Sequence, residues 1–85
     1  MEPDVITEAL ALAESAGTLR DAAQALRANY TQLRVVVVDA FDMRDETPAA
    51  AGPRRALYYG ATDGHCWQVT ADPALAAGFF LADRG

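Results

Sequence analysis

The sequence predicts an α+β domain. Two N-terminal helices pack on a small, mainly antiparallel sheet of three to four strands, in the order α-α-β-β-β-α-β. Three observations carry this expectation. Apolar residues recur at helical spacing up to Tyr30, four consecutive valines occupy positions 35–38, and Asp63-Gly64 joins two strand-like stretches.

The first helix is expected over residues 3–16. Pro3 suits a first turn, where a missing N–H costs nothing, and Glu2, Asp4 and Glu8 complement the positive helix end. Val5, Ala9, Leu12 and Ala16 form one stripe, flanked by Ile6, Leu10 and Ala13. Gly17 is expected to end the helix in left-handed geometry. Thr18 then caps a second helix, with Asp21 three residues on as an approximate capping-box partner. Leu19, Ala22, Ala23, Leu26 and Tyr30 mark its buried stripe.

Residues 34–41 form the strand on which the expected sheet is centred. Valine is stiff at χ1 and fits a pleated surface better than a helix. Val35, Val37, Asp39 and Phe41 share one face, while Val36, Val38 and Ala40 share the other. Apolar residues on both faces suggest a central strand covered on both sides. Residues 42–54, with charges, prolines and a glycine, read as a long surface loop. A strand over 55–61 places Leu57 and Tyr59 opposite Ala56 and Tyr58. Asp63-Gly64 turns it into a return strand over 65–70. Asp72-Pro73 opens a short helix closed by Gly78, and Phe79-Phe80-Leu81 forms the last strand.

The chain of 85 residues reads as a single domain, 1–85, with a net charge of −5. Its seven basic residues are all arginine, and Arg54-Arg55 is the only doublet. An acidic domain without a basic stripe is repelled by phosphate, which argues against nucleic acid and anionic membrane as partners. The helix-turn-helix geometry of residues 3–29 therefore does not read as DNA-binding. No apolar run approaches the ~20 residues that span a bilayer. The start, Met1-Glu2-Pro3-Asp4, lacks the features of a signal peptide, and Cys66 stands alone; a cytoplasmic location is expected.

Gly64-His65-Cys66, then Thr70, Asp72, Ala76, Gly78 and Leu81-Ala82, preceded by Ala25-Leu26-Arg27-Ala28-Asn29-Tyr30, form a recognisable pattern. It resembles a family of small uncharacterised bacterial proteins encoded near nitrogen-fixation genes in some diazotrophs. The similarity covers helix two onward, and the stretch 42–53 departs from the family's pattern. The resemblance implies a compact cytosolic accessory protein, connected with nitrogenase assembly or regulation, and assigns no catalytic residues.

Few residues carry chemistry. His65 and Cys66 could bind a soft metal, but neighbours in a regular strand point to opposite faces. A structural zinc site also wants four ligands, so a turn histidine beside a buried small thiol is the plainer reading. Asp39, Asp42, Asp45 and Glu46 lack EF-hand spacing and read as a solvated charge run, or as a surface for an arginine-bearing protein. Tyr58, Tyr59 and Trp67 either stabilise the sheet from within or leave an aromatic patch at an interface.

The expected function is therefore protein–protein interaction, with a partner protein or as a homodimer, without cofactor, metal or enzymatic activity. The expected interface is Val36, Val38, Tyr58, Tyr59 and Trp67, with Asp42, Asp45 and Glu46 steering the encounter. The alternative is a small-ligand or metal-binding protein using His65 with carboxylates such as Asp39, Asp42 and Asp63.

Overall fold

The computed structural model describes residues 1–84. Helix α1 spans Pro3–Ser15 and α2 spans Leu19–Asn29. The strands are β1 (Arg34–Val37), β2 (Ala50–Ala51), β3 (Arg55–Thr62), β4 (Trp67–Thr70) and β5 (Gly78–Asp83). Both helices lie on one face of a mixed sheet, as the expected α+β class requires.

The helices follow their local signals. Ile6, Ala9 and Ala13 are the buried stripe of α1, and Ala22, Ala23 and Leu26 that of α2. Alanine dominates both stripes, which lets the helices approach each other closely. Thr18 Oγ1 accepts from Asp21 N–H at 3.0 Å. Gly17 departs from expectation: among the described residues Gly64 is the glycine with positive φ, and α1 leaves its last turn through an extended Ala16. Two arginines satisfy that helix end instead. Arg54 Nη1 donates to Glu14 O at 3.0 Å and Nη2 to Gly17 O at 3.2 Å, while Arg55 Nη2 donates to Ala16 O at 3.2 Å.

The valine strand is not central. The order is β1-β5-β3, and the far edge of β3 is shared by β2, opposite Ala56 and Leu57, and β4, opposite Tyr59 to Thr62. β5 lies between β1, which it pairs in parallel, and β3, which it pairs antiparallel over six residues. β5 is apolar on both faces as well and, unlike β1, is buried on both, so apolarity on two sides did not single out the valines. β1 also stops at Val37. Asp39 Oδ1 accepts from Phe41 N–H at 2.8 Å, and this local bond bends the chain out of the ladder. Residues 42–54 are not one open loop. They begin within a turn that buries Met43 and contain β2.

The β3–β4 hairpin forms where Asp63-Gly64 places it, with Gly64 at φ 98°. Asp63 Oδ1 accepts from His65 N–H at 2.9 Å and Cys66 N–H at 3.0 Å. The return strand therefore starts at Trp67, paired with Thr62, rather than at His65. Asp72 caps its helix as expected, through Ala74 N–H at 2.9 Å, but that helix is one 3-10 turn, Pro73–Leu75. Gly78 does not close it; it opens β5.

Two cores result. Leu57, Tyr59, Phe79, Leu81 and Val35 pack under the helices. Ala56, Tyr58, Phe80 and Ala82 face the other way, with Met43 over them. Tyr30 Oη donates to Glu8 Oε1 at 2.6 Å, and its ring meets Phe79 edge-on at 6.3 Å. Burial, then the Glu8 hydrogen bond and charge, pushes the Tyr30 phenol up to about 12.

Two outcomes are expected. Gly78 pairs with Arg34, and a side-chain carbon there would run into the Arg34 backbone. Gly78→Ala should therefore cost about 2 kcal/mol or more, read as a lower midpoint in urea denaturation. The Tyr30 phenol stays neutral in the fold up to about pH 12, against 10.0 for an unperturbed one. Its contribution is fully present below pH 10 and is lost as pH rises toward 12. Tyr30→Phe should flatten the alkaline fall in stability over that window, measured by chemical denaturation at stepped pH.

Candidate functional site

The sheet face without helices is built in cross-strand rows. Arg34, Gly78, Gly60 and Val69 form one row across β1, β5, β3 and β4. Val36, Phe80 and Tyr58 form the next. Two adjacent glycines leave a trough between bulkier neighbours, and the Trp67 ring lies across it. A side-chain carbon on Gly60 would stand 3.3 Å from Trp67 Cε3 and 3.2 Å from Phe80 Cε2. The Arg34 guanidinium approaches the Trp67 ring to 5.9 Å from its centroid. Tyr58 and Phe80 are buried beneath this cover, while Val36, Val38, Trp67 and Val69 remain half-buried around them.

The turn after β1 borders this face. Met43 points inward and Phe41 outward, 68% exposed, with the Arg44 guanidinium 4.2 Å from its ring centroid. Asp39, Asp42, Asp45 and Glu46 are exposed along the same segment. This arrangement suits recognition by apolar contact inside an acidic border.

Of the residues expected at an interface, Val36, Val38, Tyr58 and Trp67 share this face, and Asp42, Asp45 and Glu46 lie in the bordering segment. Tyr59 does not join them. Odd positions of β3 turn toward the helices, so Tyr59 is buried there beside Phe79. Strand alternation makes Phe41 a face-mate of Val35 within a longer strand; the Asp39 turn sends it to the surface instead. Its partnership with Arg44 is an i, i+3 pairing of aromatic and guanidinium that strand periodicity does not bring out.

His65 and Cys66 lie in the hairpin loop and are exposed, so Cys66 is not the buried thiol expected from a regular strand. Backbone donation from Cys66, then from His65, holds the Asp63 carboxyl below the usual carboxylate range. Among the described residues no three histidine, cysteine or carboxylate side chains converge as metal ligands. Among the described residues, open clefts lie beside the two helices and at the edge of this face, where Val69 meets the acidic segment. One of 450 Å³ is lined by residues including Val5, Tyr30, Leu33 and Ala76; one of 490 Å³ lies beside Glu46, Tyr59 and Thr70. Among the described residues, no helix is long and apolar enough to cross a membrane.

Fold and surface together define a small α+β protein with one helix-covered and one helix-free sheet face. No family model, curated protein or solved structure matches the chain.

Zinc, iron or EDTA is expected to leave the melting temperature unchanged, as followed by circular dichroism. Stabilisation by one equivalent of metal that disappears in His65→Ala would instead establish a metal site at the hairpin.

Proposed function

We propose that this chain is a small accessory or regulatory protein that binds another protein through the helix-free sheet face. The observation that carries the reading is the group Val36, Val38, Trp67 and Val69, half-exposed on a face that no helix covers. Phe41 extends the apolar margin. Covering apolar surface contributes ~25 cal/mol per Å², so a few hundred Å² outweighs much of the association cost. The acidic border and the net charge of −5 favour a partner that brings arginine or lysine around an apolar centre. The resemblance to proteins encoded near nitrogen-fixation genes supports a cytoplasmic setting and a partner in nitrogenase assembly or regulation.

Capture from diazotroph cells grown with and without fixed nitrogen tests this. The wild-type chain should retain a partner that Val36→Lys and Val69→Lys retain at least about tenfold less, with both variants folded by circular dichroism. Equal retention by wild type and variants removes the helix-free face from the interaction.

A further inference from the structure

Among the described residues β1 has one neighbour, β5, and one open edge. Arg34 N–H donates to Ala77 O at 3.3 Å and Val38 N–H to Leu81 O at 2.9 Å. Even-numbered residues of the strand thus turn their backbone groups to β5, and those of Val35 and Val37 turn outward. Val37 is 42% exposed. An apolar strand with outward N–H and C=O groups is a template for another strand.

The charges along this edge indicate which strand fits. At the start of β1, Arg27 of α2 lays its guanidinium on the outward Val35 carbonyl, with Nη2 at 2.9 Å and Nε at 3.3 Å, while Arg34 turns across the helix-free face to Trp67. Asp39 and Asp42 follow the other end, and they and Arg27 are exposed residues. The edge is cationic where β1 begins and anionic where it ends. An antiparallel neighbour of the same sequence reverses that polarity, so each arginine end meets an aspartate end, twice over by two-fold symmetry.

We propose that β1 pairs antiparallel with β1 of a second copy, continuing the sheet across a two-fold axis. A hydrogen-bonded pair of the two Val37 residues on the axis suits the edge best, because the Val35 carbonyl already accepts from Arg27. That register sets Val36 opposite Val38 of the second copy. It also sets Asp39 of the second copy beside Val35, within reach of Arg27. The pairing uses the edge of β1 and does not rest on the partner-binding face. It places the two helix-free faces on the same side of one sheet, so that a partner protein meets both.

Size-exclusion chromatography with light scattering decides the point. Wild type should run at twice 9.1 kDa at high concentration. Val37→Pro removes an outward N–H and no bond to β5, and should yield a monomer. Arg27→Asp and Asp39→Arg should each weaken the dimer at least about tenfold through like charges facing each other. An equimolar mixture of these two variants restores both ion pairs and should recover a dimer. Val69→Lys, on the opposite edge of the sheet, should leave the dimer mass unchanged even where it abolishes partner capture, so the two readings fail separately. A wild-type mass of 9.1 kDa at high concentration overturns the proposal. So does a folded Val37→Pro variant that dimerises like wild type. If Val37→Pro does not fold, failure of the charge-swapped mixture to dimerise overturns it.

Discussion

The fold depends on the junction between the end of α1 and the start of β3. Glu14 accepts backbone N–H bonds from Arg54 at 2.9 Å and Arg55 at 2.6 Å, so one carboxylate holds the first residues of the long central strand. The same two arginines return their guanidinium groups to the last carbonyls of α1. Helix and strand are thus joined in both directions by charge-assisted bonds, where the helix dipole favours cations. Arg55 is only 4% exposed, and its ion pair with Asp83 at 2.9 Å carries the junction on to β5. Asp83 is half exposed, so water screens its side of the pair while the Arg55 guanidinium lies buried against the helix end. Glycine at position 52 follows from the same geometry, since the Glu14 carboxylate lies against its backbone.

With α1 held over β3 and α2 beside β1, both long helices are committed to one face. The opposite face has to be covered by short pieces. Met43 comes from the turn after β1, Trp67 lies over the trough of Gly60 and Gly78, and arginines rest on Trp67 and Phe41. A guanidinium on an aromatic ring screens apolar surface while keeping its charge in water.

The same division of material leaves β1 exposed at its edge. A parallel strand against β5 gains one ladder of hydrogen bonds, and the Asp39 turn ends it before a second could form. Arg27 occupies one outward carbonyl and leaves the groups of Val37 open. Face and edge therefore meet at the same four residues of β1.

What the sequence determined by itself was local. Pro3 and Asp72 start helical turns, Thr18 caps α2, and Asp63-Gly64 makes the hairpin, because each acts through bonds to residues within about four positions. The alternation that separates Tyr58 from Tyr59 was equally legible, since it needs only the pleat. Which face would receive the helices was not, and that choice sent Tyr59 under α1 and α2 and Tyr58 to the helix-free side. The rank of the valine strand was also hidden: β1 and β5 are both apolar on two faces, and only pairing decides which lies inside. The Arg54-Arg55 doublet looked like a minor basic spot until the helix end arrived beside it. In each case the deciding partner lies tens of residues away, and a periodic pattern records what a residue can bury against, not which element will supply the surface.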